Sequence, residues 1–165
     1  MRIAVISDTH LPRGTRRLPD RCVEELRAAD LVLHAGDIAT VAVLEQLEAL
    51  VGGRDVLAVL GNVDEPALAA RGVPEQRVVE AGGARIAMVH DAGPAQGRLD
   101  RLRRRFPDAD AAVFGHSHIP LHAEHEGFQI FNPGSPTDRR RQPRHTMGVA
   151  DAEHGVVRFR LIPVD

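Results

Sequence analysis

Seven side chains in this sequence have the types and spacing of divalent-metal ligands: Asp8, His10, Asp37, Asn62, His90, His116 and His118. Carboxylate, amide and imidazole donors without a thiolate suit Mn, Fe, Zn, Ni or Co better than calcium or a structural zinc. Two imidazole-rich half-shells that share a carboxylate can hold two such ions about 3.5–4 Å apart. The stretch Phe114-Gly115-His116-Ser117-His118 carries two of the histidines at i and i+2. On extended backbone that spacing turns both imidazoles to one side, at the lip of a sheet. Gly36, Gly61 and Gly115 lie beside the candidate ligands and allow tight turns and close backbone approach.

Positioning these groups requires strands that end at one edge. Ile3–Ile6 is an apolar strand run that leads into Asp8-Thr9-His10. A helix is expected from Asp20 to Ala29, with Asp20 as N-cap, followed by a strand Leu31–His34 that leads to Gly36-Asp37. Thr40 caps a second helix, and a strand from Val56 to Leu60 leads to Gly61-Asn62. Strands alternating with helices imply parallel pairing, and ligands gather beyond the carboxyl ends of parallel strands.

The second half changes to hairpins. Arg77–Ala81 and Ala84–Val89 flank Gly82-Gly83, Leu121–His125 and Phe128–Phe131 flank Glu126-Gly127, and Thr146–Asp151 and Val156–Leu161 flank Glu153–Gly155. Between them an arginine-rich helix spans roughly Gly97 to Phe106, followed by the strand Ala111–Phe114. The expected architecture is α/β, with two sheets face to face and helices outside.

With 165 residues, 43% hydrophobic and 27% charged, residues 1–165 read as one domain with a substantial core. A formal charge of −2 gives no support to nucleic-acid binding by whole-surface electrostatics. All 21 basic residues are arginine, which reads as base composition rather than function, and there is no Trp or Tyr. The single cysteine, Cys22, cannot form an intramolecular disulfide and reads as a core thiol in a reducing compartment. No apolar run approaches the ~20 residues of a membrane span. A cytoplasmic location and no membrane partner follow as expectations.

The series Asp8-x-His10, Gly36-Asp37, Gly61-Asn62-x-Asp64, His90 and Gly115-His116-x-His118, followed by Asn132-Pro133-Gly134-Ser135, resembles the calcineurin-like metallophosphoesterase superfamily. It is most similar to the small single-domain phosphodiesterase branch of bacteria and archaea. The resemblance covers essentially the whole chain. It implies a four-layer α/β/β/α sandwich with a dinuclear metal centre, manganese foremost and Ni, Fe, Zn or Co as alternatives. It also implies that Asp8, His10 and His118 hold one ion, that Asn62, His90 and His116 hold the other, and that Asp37 bridges them. The implied reaction is in-line attack on phosphorus by a water or hydroxide held between the ions, on a small phosphodiester or nucleotide, with Asn62 also orienting a phosphate oxygen. In many members the residue after Gly-Asn is a histidine that protonates the leaving group, but this chain has Val63 there. Losing a general acid costs ~10²–10⁴-fold, so activated diesters are the expected substrates.

The remaining polar residues have simpler readings. His34 reads as a buried histidine with a backbone partner, and His122 and His125 as surface histidines, with replacement of the missing acid as the alternative. Asp91 is read either as an orienter of His90 or as solvent-facing. Ser7, Ser117 and Ser135 lack a triad-type base. Asn132–Ser135 reads as a structural turn below the site, and Asp138–Arg144 as a solvated loop, with contact of Arg139–Arg141 and Arg144 to substrate phosphate as the alternative. A competing function is a catalytically impaired scaffold that binds a protein partner, as the retromer subunit on this fold does. A homo-oligomer is compatible with the sequence. A metallo-β-lactamase-like hydrolase is excluded because Ile119-Pro120 follows His-x-His, where that class has Asp-His.

Overall fold

The computed structural model describes all 165 residues. In chain order the elements are β1 (Arg2–Ile6), α1 (Asp20–Ala28), β2 (Leu31–His34), α2 (Val41–Leu50), β3 (Asp55–Ala58), α3 (Pro66–Ala70), β4 (Gln76–Ala81), β5 (Ala84–Val89), α4 (Arg98–Arg105), β6 (Ala111–Val113), β7 (Leu121–His125), β8 (Phe128–Asn132), β9 (Thr146–Glu153) and β10 (Val156–Pro163). One sheet has the order β10-β9-β1-β2-β3 and the other β4-β5-β6-β8-β7. Both are mixed. β1, β2 and β3 run parallel, as do β5, β6 and β8, while β4, β7, β9 and β10 pair antiparallel. The expected α/β/β/α sandwich is the architecture found.

Alternation along β1 shows how the layers form. Ile3 and Val5 point between the sheets, where they meet Leu33, Ile86, Met88, Val113 and Phe131. Ala4 and Ile6 point the other way, into a cluster with Cys22, Leu26, Val43, Leu47 and Leu68 beneath α1, α2 and α3. A strand apolar on both faces must be covered on both, which is why β1 reads as an unbroken apolar run. On the far side, Leu102 of α4 and Phe106 just beyond it cover Ala87, Ala112 and Ile130. Phe131 and Phe159 stack across the gap between the sheets with ring centroids 4.6 Å apart. No helix is long and apolar enough to cross a membrane.

Several local expectations change. Asp20 is not the N-cap of α1: Pro19 occupies that position, with no side-chain cap, and Asp20 lies in the first turn. Proline there starts the turn by its fixed φ, and the acid complements the helix dipole instead. Thr40 does cap α2, its hydroxyl accepting from Val43 N–H. The short helix α3, with Pro66 at its first position, was absent from the periodicity reading because five residues are too few to show a period. Strand β3 ends at Ala58, although Val59 N–H still donates to His34 carbonyl.

Candidate metal centre

The parallel strands of both sheets end at one edge, and the loops beyond them carry every candidate ligand. β1 leads to Asp8 and His10, β2 to Asp37, β3 to Asn62, β5 to His90 and β6 to His116 and His118. The backbone there is not extended. Asp8, His10, Asp37, His116 and His118 all have positive φ, between 46° and 67°. Such conformations are uncommon for residues other than glycine and cost about 1–3 kcal/mol each, so the surrounding contacts must impose them. This corrects the expectation of an extended His-x-His that turns both imidazoles to one side. His116 and His118 instead reach different parts of the site.

The structure brings all seven side chains together. His10 Nε2 lies 3.2 Å from His118 Nε2, and His118 Nε2 lies 3.4 Å from an Asp8 oxygen. Asp37 Oδ2 lies 3.5 Å from His10 Nε2 and 3.3 Å from His90 Nε2, so one carboxylate reaches both halves. Asn62 Oδ1 lies 3.1 Å from His90 Nε2 and 3.0 Å from His116 Nδ1. Two potential ligand groups, Asp8-His10-His118 and Asp8-Asp37-His90, share Asp8.

Two of the imidazoles have their lone pairs fixed by what lies behind them. His90 Nδ1 donates to the Ala35 carbonyl at 2.7 Å, and His118 Nδ1 donates to the Asp138 carbonyl at 2.5 Å. Each leaves Nε2 facing the centre, the outer partner typical of ligating histidines. Carboxylate oxygens, an amide oxygen and imidazole nitrogens thus converge with few protons to share among them. That donor set fits divalent cations.

The clustered groups shift one another's protonation. Burial pushes the Asp8 carboxyl up to about 7, against the lowering effect of His90 and the Ser7 hydroxyl. Burial also opposes ionisation of Asp37, but the hydrogen bond and charge of His90, with the Val63 N–H, outweigh it and bring Asp37 to about 2. His90 is raised: desolvation is exceeded by Asp37 and Asp8. His10 and His118 are lowered by burial, and the positive charge of Arg140 adds to both. Neutral imidazoles are the form that ligates.

Outside the ligands, a set of polar contacts ties the loops together. Asp64 accepts from Ala39 N–H and Gly61 N–H, both at 2.7 Å, and so joins the loops of Asp37 and Asn62. Ser135 Oγ donates to the Asp8 carbonyl and accepts from Asp138 N–H at 2.9 Å, fixing the carbonyl that holds His118. Asn132 Nδ2 donates to the Gly115 carbonyl. The Asn-Pro-Gly-Ser turn is therefore structural and lies under the site, as expected. Ala35 and Asp138 act through backbone carbonyls, which no side-chain motif could have marked.

Other expectations resolve simply. His34 is fully buried, but its partner is the Thr9 hydroxyl at 3.1 Å rather than backbone, and burial lowers it to about 3. Asp91 is exposed and accepts from Gly93 N–H, so it does not orient His90. His122 bonds Gln129 and packs on Phe131, away from the ligands. Cys22 is buried and its thiol is pushed up to about 12 by desolvation.

The calcineurin-like phosphoesterase superfamily domain matches residues 1–155. The chain belongs to that superfamily. A probable metallophosphoesterase of Methanothermobacter thermautotrophicus is 35% identical over 141 residues, covering 83% of this chain and 78% of that protein. A second, from Methanocaldococcus jannaschii, is 31% identical over 169 residues, covering 100% and 82%. A Thermotoga maritima protein solved by NMR superposes with a TM-score of 0.75 at 29% identity, over 98% of each chain. The superfamily uses divalent metals, and the clustered carboxylates and histidines are this chain's candidate ligands.

Proposed function

We propose that the protein is a cytoplasmic phosphodiesterase that works with two divalent transition-metal ions, manganese foremost. The observation that carries the reading is the convergence of Asp8, His10, His118 on one side and Asn62, His90, His116 on the other, with Asp37 within 3.5 Å of both. Bound divalent ions supply Lewis acidity to a phosphoryl oxygen and lower the pKa of a water for in-line attack.

The chain's own residues then set the selectivity. Asn62 faces its neighbours through Oδ1, and its exposed amide Nδ2 is free to donate to a phosphoryl oxygen. Val63 is 47% exposed at the crevice and has no proton to give, while its backbone N–H holds Asp37 Oδ1 at 3.1 Å. A leaving group on that side must depart as its anion. Aryl and other activated diesters satisfy this, and simple alkyl monoesters do not.

The test is turnover of bis(p-nitrophenyl) phosphate by metal-stripped protein with and without Mn²⁺. Nitrophenolate release should require metal and fall more than about 10²-fold in Asp37→Ala, beyond the effect of losing an outer partner. Glycerol phosphate should be slower by roughly 10²–10⁴-fold. Equal rates on the two substrates would place a proton donor elsewhere in the crevice. No turnover with any first-row metal, despite bound ions, would favour a scaffold built on the same fold.

A further inference from the structure

We infer that Arg13 and Arg140 form an anion-binding wall that selects phosphodiesters carrying a second negatively charged group. This deepens the phosphodiesterase reading and rests on it. Beside the metal ligands lies a crevice of about 290 Å³ bounded by His10, Pro12, Arg13, Val63, Asp138 and Arg140. The volume is near the lower end for small-molecule sites and leaves room beyond one scissile phosphate.

The two guanidiniums come from different loops, one after β1 and one after the Asn-Pro-Gly-Ser turn. Both are exposed, and neither side chain takes part in an ion pair or a hydrogen bond. The acid that shares their crevice is already committed: the Asp138 carboxylate lies 2.9 Å from Arg16 Nη2. Two positive charges are thus left uncompensated at the mouth of the site in a chain whose formal charge is −2. A guanidinium offers a planar fork of donors that matches phosphate oxygens in pairs.

The backbone that carries Arg140 is held in place. Arg140 has a φ of 49°, a conformation a non-glycine residue keeps only when its surroundings demand it. Its loop is fastened to the ligand loop, since Thr137 Oγ1 donates to the Thr9 carbonyl at 2.6 Å and Ser135 Oγ to the Asp8 carbonyl at 2.8 Å. Val63 lies in the same crevice. Where a proton donor is missing, fixed positive charge beside the leaving group offsets the negative charge that develops there. A leaving group with its own phosphate would meet both arginines.

The test uses an aryl methyl phosphodiester whose phenol leaving group either carries or lacks a second phosphate on a methylene arm, a pair that differs only in the second anion. Wild-type kcat/KM should favour the phosphorylated member by roughly 10-fold or more, as expected for a charge-assisted contact. In Arg13→Gln/Arg140→Gln the preference should fall below about 3-fold, chiefly through KM, while Arg141→Gln, outside the crevice, should keep it. Calorimetric binding of the same pair with a methylene in place of the bridging oxygen should show the same loss without any turnover. No preference in the wild type, or one that survives the double substitution, would overturn the inference. If no diester is hydrolysed but the binding preference depends on the two arginines, the phosphodiesterase reading fails and the anion wall stands.

Discussion

The two sheets contribute to the candidate metal centre unequally. The sheet containing β1, β2 and β3 supplies every candidate oxygen ligand, Asp8, Asp37 and Asn62, together with His10. The sheet containing β5 and β6 supplies imidazole alone, from His90, His116 and His118. Neither set would make the shared arrangement by itself. The carboxylates are on one sheet, and most of the candidate nitrogen donors are on the other. The site is therefore a property of the seam between the sheets. Asp8 lies at that seam: it is carried by one sheet, and its carboxylate accepts from His116 N–H of the other at 3.1 and 3.0 Å.

A large effect should come from disturbing the seam without replacing a ligand. At Gly115 a Cβ would stand 1.9 Å from Ser7 Oγ and 2.7 Å from an Asp8 oxygen, too close for either sheet to accept unchanged. Gly115→Ala should cost about 1–3 kcal/mol of stability through overpacking. It should also lower Mn²⁺-dependent turnover by about 10²-fold, because displacement of a supporting group weakens metal affinity on this scale. Denaturant unfolding and metal titration of the variant check both parts. Turnover close to wild type would mean that the seam is softer than its packing implies.

A smaller effect should come from Asp8 itself, and its sign depends on pH. The folded carboxyl is held near 7 and the unfolded one near 3.8, so between these values the folded chain holds a proton that the unfolded chain has released. Stability from this group is present below about pH 4 and declines as pH rises through 7. Asp37 is lowered to about 2, and its contribution is lost only as pH falls towards that value, outside this window. In metal-free protein, Asp8→Asn mimics the protonated form. It should match wild type near pH 4, melt on the order of 5 °C higher at pH 8, and fail to bind metal in the Asp8 half-site. Melting curves of the two chelator-treated proteins at both pH values give the comparison. A variant less stable than wild type at pH 8 would show that Asp8 is ionised and favourably paired without metal.

The smallest effect lies on the outer face of the oxygen-bearing sheet. Thr40 caps α2, and Thr40→Ala should cost about 1 kcal/mol. Thermal unfolding should report that loss while metal-dependent turnover stays within about twofold of wild type. A large loss of activity would show that the outer helix layer also sets the metal ligands.

Much of this was legible in the residues. Apolar runs such as Ile3–Ile6 and Leu31–His34, followed at once by Asp8 and Asp37, marked both the strands and the edge at which they end. Gly82-Gly83 and Glu126-Gly127 marked hairpins because the turns between β4 and β5 and between β7 and β8 need positive φ at Gly82, Gly83, Glu126 and Gly127. The candidate ligands were legible because residue type carries metal chemistry, and the superfamily resemblance named the seven positions that the structure brings together. Three things were not. The left-handed backbone at His116 and His118 arises from the loop, and spacing alone suggested extension. The Ala35 and Asp138 carbonyls that orient His90 and His118 belong to residues whose side chains do no part of that work. The exposed pair Arg13 and Arg140 is 127 positions apart in sequence but shares one crevice wall, so nothing local joined them.

The sequence by itself determined the layer order, the strand ends and the chemistry of the ligands, because these follow from local periodicity and side-chain type. Tertiary structure alone decided which imidazole meets which carboxylate, which protonation states the two aspartates favour and which arginines face the crevice. Those outcomes depend on distances and burial between segments far apart in the chain, and they exist only once the two sheets have packed.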